Sequence, residues 1–413
     1  MTTPIRVIVI GGGAAGFFGA IACAEEAPTA QVTLLEAAAE PLTKVRISGG
    51  GRCNVTHHCF DPALLVQHYP RGEKVLRGAF SRFQPQDTVA WYKRRGVRLK
   101  TEADGRMFPI TDDSSTVVNC LMRETRRTGV TLRLKAAVKT VNRQENGFAV
   151  VLRSQEVLHC ERLLIATGSS PQGHRLAANL GHTIEPPVPS LFTFNIPDKA
   201  LQALAGIAAD PVEVKLIVPN AKPLTQKGPL LITHWGFSGP AVLKLSAWGA
   251  RILHDAHYQG KLQVNWLPSV NPEQLRQTLQ DARQRIPKRA IANHCPVDFP
   301  KRLWRYWIQQ VNLDETLTWA NLPKKALNKL VEYINRGTYS VQGKGIFKEE
   351  FVTCGGVKLA EVDFKTMESR CCPNLFFAGE VLNIDGVTGG FNFQSAWTTG
   401  WLAGQSLGKR SFG

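Results

Sequence analysis

The chain has 413 residues, 43% of them hydrophobic, with 50 Lys and Arg against 33 Asp and Glu, a net charge of +17 and a pI near 9.6. That length exceeds what one small core needs, so two or three domains are expected, and the composition excludes a disordered or fibrous chain. No apolar run approaches the ~18 residues that span a bilayer, while the basic surplus admits nucleic acid, an acidic membrane surface or anionic small molecules as partners.

Met1-Thr2-Thr3-Pro4 runs straight into an apolar strand, leaving no room for a signal peptide, so a cytoplasmic location is expected. Nine cysteines at irregular spacings indicate reduced, mostly buried thiols. No cysteine pair has zinc-ligand spacing, and no metal is expected.

Ile5 to Ile10 is β-branched and leads into Gly11-Gly12-Gly13-Ala14-Ala15-Gly16, after which small residues to Ala27 read as a helix. Strand, Gly-x-Gly-x-x-Gly and helix in that order form the dinucleotide fingerprint. Gly11 makes the turn, Gly13 admits a pyrophosphate, and Gly16 lets helix and strand approach. The pyrophosphate would sit at the helix N-terminus, on Ala14 and Ala15. A second strand, Gln31 to Glu36, ends in an acid twenty residues after Gly16. Its carboxylate suits both ribose hydroxyls.

Next comes Lys44-Val45-Arg46-Ile47-Ser48-Gly49-Gly50-Gly51-Arg52-Cys53-Asn54-Val55-Thr56. Three glycines between cationic and hydrogen-bonding residues suit a loop pressed against a flat or phosphorylated ligand, with Lys44 and Arg52 supplying charge. Asp104 to Pro109 precedes a helix from about Ser115 to Thr128. A strand at Val130–Leu134 follows, then a hairpin, Val138–Val141 and Phe148–Leu152, turning at Glu145-Asn146-Gly147. The apolar strand Arg162 to Ala166 ends in Thr167-Gly168.

From Pro186 the composition changes. Pro186, Pro187 and Pro189 read as a stiff link to strand-like pieces at Leu191–Ile196, Val212–Val218, Leu230–Thr233 and Lys261–Leu267. Residues 190–270 therefore read as an inserted β-rich domain. Residues 271–345 read as a helical subdomain, with Leu275, Leu279, Ala282 and Ile286 on one face and Leu327, Leu330, Val331 and Ile334 on another. Gly337 is a helix stop, and Trp304, Tyr306 and Trp307 are core candidates. His234 is read as structural. A strand from Phe347 to Thr353 and the turn Gly355-Gly356 lead back to the first domain. The chain closes on the strand Asn374–Ala378, Gly379-Glu380, Asp385, then Gly389-Gly390-Phe391-Asn392-Phe393 opening a final helix.

The runs near residues 5–56, 104–109, 230–240 and 374–396 together resemble the HI0933-like, or BaiN-like, flavoproteins, a group that includes aminoacetone oxidase. The resemblance implies an α/β fold: a Rossmann-type, glutathione-reductase-like FAD domain from residues 1–189 and 346–413, interrupted by the β-rich and helical insertions. It implies FAD as cofactor. The loop carrying Lys44, Ser48, Gly50, Gly51, Arg52, Cys53 and Asn54 would lie against FAD, and backbone at Val138 against the adenine. Thr167 and Gly168 would return to the pyrophosphate. Gly379 and Glu380 end the buried strand of the closing motif, and Asp385 would meet the ribityl chain or pyrophosphate. Gly390, Phe391, Asn392 and Phe393 would face the flavin pyrimidine, where a helix N-terminus stabilises negative charge. Ser169-Ser170 depart from the glycines that many relatives carry there.

The resemblance implies an oxidoreductase acting on a small molecule, with NAD(P)H as one candidate for a transient electron donor. An amine or aminoketone oxidase using O2 is the alternative. A pyridine-nucleotide–disulfide reductase is disfavoured, because there is one fingerprint and Cys53 and Cys59 are not a redox pair. The charge leaves a flavin-containing RNA-modifying or RNA-binding protein open. Its excess is diffuse, however: ten basic to four acidic residues between Arg71 and Arg106, and twelve to six between Asn271 and Gly337. Neither stretch alternates aromatic and basic residues. Substrate, catalytic residues and oligomeric state have no sequence signature here.

Overall fold

The computed structural model describes residues 4–345 and 352–409. It forms two compact units, one containing residues up to Val188 and from Val352 onward, the other the residues between.

The first unit is built on the strand Arg6–Ile10, whose Val7, Ile8, Val9 and Ile10 are all buried. A continuous apolar run is what a parallel strand covered on both faces requires. It pairs in parallel with Gln31–Leu35 on one side and Arg162–Ile165 on the other. Thr131–Arg133 and Leu375–Phe377 extend the parallel sheet outward, and the antiparallel pieces Glu368–Ser369 and Val362–Asp363 complete seven strands. Two smaller antiparallel sheets flank it. One contains Val138–Gln144 and Gly147–Leu152, the other Thr56–His57 and Arg106–Pro109.

Two helices, Ala14–Glu26 and Phe391–Gly408, are buried along most of their length. They touch backbone to backbone. A Cβ on Gly400 would lie 2.5 Å from the Ala15 carbonyl oxygen, and one on Gly404 would lie 2.4 Å from that of Gly19. The contact advances by four residues on both helices in the same direction, so they run parallel.

Pro186, Pro187 and Pro189 form no mere link: they lie in a strand, Ile184–Ser190, that pairs with Val352–Val357 in a two-stranded sheet. Proline is tolerated there because an edge strand leaves one row of N–H positions without ladder partners. A Cβ on Gly355 would sit 2.7 Å from the Pro186 carbonyl oxygen, so glycine permits the approach. The start of the expected Phe347–Thr353 strand lies outside the described residues.

The second unit carries a six-stranded sheet in the order Phe194–Asn195, Gly236–Ser238, Leu224–Thr233, Ala208–Ile217, Gln259–Asn265 and Gly337–Gln342. Helices Pro272–Arg285, Lys301–Gln310 and Lys324–Arg336 share one apolar core with it, in which Val214, Leu262, Trp304, Trp307, Leu330 and Ile334 meet. The expected division between residues 270 and 271 therefore falls inside a single core. A change of periodicity from two to 3.6 marks a change of element, and one face of the sheet needed the helices to cover it. Tyr306 is also buried, and its hydroxyl donates to Asp198 at 2.6 Å. Among the described residues no helix is long and apolar enough to cross a membrane.

The helix contact is testable. Gly404→Val forces a side chain into backbone, and overpacking of this kind costs about 1–3 kcal/mol. Thermal unfolding of the purified variant should show a clearly lowered midpoint with weaker flavin retention. An unchanged midpoint would show that the helices do not meet as described.

Candidate functional site

The site begins where the first strand turns into the first helix. Gly11 has φ +112°, and a Cβ there would lie 2.4 Å from the Ala166 carbonyl oxygen. On Gly16 it would lie 1.9 Å from the Gly11 oxygen, whereas on Gly13 it would meet nothing within 4 Å. Two fingerprint glycines thus allow contact and the third opens space. Gly13 caps the helix with no side-chain hydrogen bond, and the first turn holds no acid, so the N–H groups of Ala14 and Ala15 present an uncompensated positive helix end.

Glu36 Oε2 accepts from Gly12 N–H at 2.7 Å and Oε1 from Ala38 N–H at 2.7 Å. Two backbone donors orient the carboxylate, and each oxygen keeps a lone pair for a further donor. Gly12 occupies an unspecified position of the fingerprint, yet a Cβ on it would lie 2.7 Å from Glu36 Oε2. The motif gives no signal for that requirement.

The glycine-rich loop departs from helix Thr43–Gly51 at Ser48, where ψ is 148°, and Gly49, Gly50 and Gly51 follow with φ of +59°, +69° and +84°. Three successive left-handed residues are practical only for glycine. A Cβ on Gly49 would strike the Phe108 ring at 2.8 Å, while Gly50 and Gly51 face open space. The Ser48 carbonyl accepts from Cys53 N–H at 3.0 Å. Cys53 is fully buried and unbridged, and burial pushes its thiol up to about 12, far from a reactive thiolate. Arg52 does not present a spare charge to the loop's open side: it pairs with Glu102 at 2.6 Å and Asp112 at 3.5 Å and lies 4.0 Å over Phe108. It ties the loop to the strand Arg106–Pro109.

Lys44 and Glu380 meet at 2.7 Å. A Cβ on Gly168, where φ is +60°, would lie 3.8 Å from Glu380 Oε2. Thr167 sits against Gly11 and Gly173, and its buried hydroxyl has no hydrogen-bond partner. Gly379 (φ +76°) abuts Ala15, with its N–H donating to Thr399 Oγ1 at 2.9 Å. Thr167, Gly168, Gly379, Glu380 and Lys44 therefore gather around the first helix N-terminus. Val138 opens its strand, buried, with its carbonyl accepting from Gln172 at 3.3 Å.

The closing helix begins at Gly390, with φ +92° and no side-chain cap. Asn54 clasps this corner once its amide is turned to the orientation that satisfies both groups: its oxygen then accepts from Gly390 N–H at 3.0 Å and its nitrogen donates to the Thr56 carbonyl at 3.1 Å. Asn392 bridges both backbone groups of Gly386, at 2.8 and 2.9 Å. Phe393 stacks on Trp397 at 5.6 Å. Asp385 is fully buried and forms a two-pronged ion pair with Arg71, so its carboxylate already has a cation. His57 and His68 stack on Phe391 at 4.7 and 4.2 Å, and Tyr69 donates to the Phe391 carbonyl at 2.7 Å. Arg71, His57 and His68 were not singled out from the sequence, because nothing local links them to a motif more than 300 residues away.

His182, Glu361 and Cys371 offer donor atoms within 4.8 Å of one another. Hydrogen bonds account for the histidine. Ser369 Oγ accepts from the N–H groups of Cys371 and Cys372 and lies 2.8 Å from His182 Nε2, so its proton is directed to that nitrogen. Nδ1–H then donates to Glu361 at 3.2 Å, leaving the ring no lone pair for an ion. Burial lowers the histidine pKa, in keeping with a neutral ring.

The parallel helices place their N-termini in a fixed relation. Phe391 lies nine residues before Gly400, whereas Ala14 lies one before Ala15. At ~1.5 Å per residue the closing helix begins about 12 Å out beyond the first helix's N-terminus, comparable to a ribityl chain and the near edge of a flavin. Open space at Gly13, Gly50 and Gly51, the lone Thr167 hydroxyl and two uncapped helix ends fit FAD. The profile of the HI0933-like protein Rossmann domain matches residues 5–406.

The chain belongs to the HI0933-like family.

It is an FAD-dependent oxidoreductase of that family. An Escherichia coli protein named ribosomal RNA dihydrouridine synthase is 31% identical over 97% of this chain and 97% of its own length. A Haemophilus influenzae protein of the same name is 30% identical over 98% of both. The 3-dehydro-bile acid delta(4,6)-reductase of Clostridium scindens is 27% identical over 98% of this chain and 99% of that one. In fold, the chain is similar to a 3-ketosteroid-delta4-(5alpha)-dehydrogenase from Rhodococcus jostii, with a TM-score of 0.53 at 14% identity over 99% and 98% of the two chains.

Removing the Glu36 carboxylate should loosen FAD. Hydrogen bonds to a charged group are worth about 1.5–3 kcal/mol each, so Glu36→Ala should weaken FAD binding at least tenfold in a fluorescence titration of the apoprotein. Equal affinity in variant and parent would remove Glu36 from the cofactor site.

Proposed function

We propose that this HI0933-like protein reduces a uracil ring in ribosomal RNA, adding one hydride and one proton across the C5=C6 bond, with NAD(P)H as the source of electrons. The observation that carries this reading is the full-length similarity to two proteins named ribosomal RNA dihydrouridine synthase. The bile-acid reductase supports the same class of chemistry. Its substrate name describes C=C bonds beside a 3-oxo group, and the uracil C5=C6 bond is likewise conjugated to a carbonyl. Both are electron-poor double bonds.

FAD, when bound and reduced, supplies the hydride. Each part of the chain then has a definable task. Ala14 and Ala15 offer N–H groups to the pyrophosphate, and Glu36 accepts from the adenosine ribose. The uncapped start of the closing helix stabilises negative charge on the pyrimidine edge of the flavin. Asn54, bonded to Gly390, holds that helix end in place. NAD(P)H has no fingerprint of its own, since Gly11 to Gly16 serve FAD. Its phosphates would therefore rest on surface cations whose attraction is screened by salt.

The test is anaerobic incubation of the flavin-loaded protein with NADPH and ribosomal RNA transcribed without modifications, followed by digestion to nucleosides and mass spectrometry. Dihydrouridine should form in proportion to enzyme and only when NADPH is present. RNA left unchanged although NADPH reduces the flavin would overturn RNA as the substrate, and a flavin reduced by an amine instead of NADPH, then reoxidised once air is admitted, would support the oxidase reading.

A further inference from the structure

Ion pairs are unevenly shared between the two units. In the first, Arg6, Arg52, Arg95, Arg127 and Arg133 each have a carboxylate partner. Residues 189–345 hold twenty Lys and Arg against ten Asp and Glu, a surplus of ten out of the chain's seventeen. Among the described residues there, leaving Lys344 aside, two Lys or Arg side chains pair with a carboxylate, Lys227 with Glu213 and Arg276 with Glu273. The charge that seems diffuse along the sequence is therefore locally uncompensated in the second unit.

It is also locally organised. Helix Lys301–Gln310 buries Leu303, Trp304, Trp307 and Ile308, leaving Lys301, Arg302 and Arg305 exposed. Arg305 donates to Asn293 Oδ1 at 2.6 Å and Arg302 to the Ala203 carbonyl. Asn293 ends the short turn Ile291–Asn293, which the exposed Lys288 and Arg289 precede with Ala290 between. Neutral acceptors thus hold two guanidinium groups without cancelling their charge. Each keeps further N–H donors in a planar fork, the geometry that suits phosphate oxygens. A merely solvated basic face would not require such anchoring.

The geometry points to this surface, Lys288, Arg289, Lys301, Arg302 and Arg305, as the docking face for the phosphate backbone of the RNA substrate. The inference rests on the reading of RNA as substrate. Phosphate contacts of this kind position a nucleic acid and make its binding salt-dependent, without selecting its sequence.

The experiment uses the flavin-loaded full chain and a short fluorescein-labelled single-stranded RNA, followed by anisotropy at several salt concentrations. The variant replaces Lys301, Arg302 and Arg305 together with Gln. Its affinity should fall at least tenfold. With a slope of about −0.7 per phosphate contact on single strands, its log–log salt dependence should be shallower by about 2. An unchanged flavin spectrum and thermal midpoint would show that the exposed substitutions left the fold intact. Equal affinity and slope in a folded variant would overturn this surface while leaving RNA as the substrate. Failure of the parent protein to bind RNA even at low salt would overturn the RNA reading itself. If the variant does not fold, Lys288→Gln with Arg289→Gln replaces it, with an expected slope change of about 1.4 on the same basis.

Discussion

The rest of the first unit depends on two helices touching without side chains between them. Gly400 against Ala15 and Gly404 against Gly19 bring backbone to backbone, so the start of each helix is set by the other. A larger residue at either crossing would push the helices apart and shift one N-terminus relative to its partner. In the arrangement we propose, FAD would span both ends, with its pyrophosphate at one and its flavin near the other, and how closely the helices pack would set the cofactor's geometry. The sheet contributes by holding the first helix, since Gly16 packs over the Gly11 turn and a Cβ on Gly19 would lie 2.5 Å from the Leu164 side chain.

Around this pair, polar contacts fix the cofactor-facing backbone. Gln394 is fully buried and its amide oxygen accepts from Thr56 at 2.6 Å and Thr88 at 3.0 Å, while Trp397 donates to the Val55 carbonyl at 2.9 Å. The bonds from Thr56 and to Val55 join the end of the glycine-rich loop to the closing helix across more than 300 residues of sequence, and Thr88 ties in the helix Pro85–Arg94. In a buried setting, breaking one partner leaves the other unsatisfied at a cost of about 1–3 kcal/mol. The loop consequently reads as a preformed wall rather than a flap.

What the sequence made legible was local. The strand–glycine–helix order, the acid at Glu36 and the final Gly-Gly before the last helix are short patterns with direct physical meaning. In the structure Gly11 makes the turn, Glu36 accepts from the Gly12 N–H and Gly390 opens the last helix. Features built from distant partners were not legible. Arg52 looked like a charge for the ligand because its partners Glu102 and Asp112 lie beyond the motif, and Arg71, which pairs with Asp385, has no pattern of its own. The proline run read as a link, since nothing local to it announces that it pairs with the distant strand Val352–Val357. The second unit was divided in two because helix and strand periodicities differ even when they share a core. The basic charge was similarly misleading in one dimension: the surplus is distinguished by its missing acidic partners, which only folding reveals.

The central claim is that one helix N-terminus holds the pyrophosphate and the other the flavin of the same FAD. A crystal structure of the protein with its native cofactor tests it most directly. The account predicts pyrophosphate oxygens within hydrogen-bond distance of the Ala14 and Ala15 N–H groups, and the flavin pyrimidine at the N–H groups that open the helix at Phe391. A pyrophosphate bound away from Gly13, or a flavin ring away from the Gly390 corner, would contradict it.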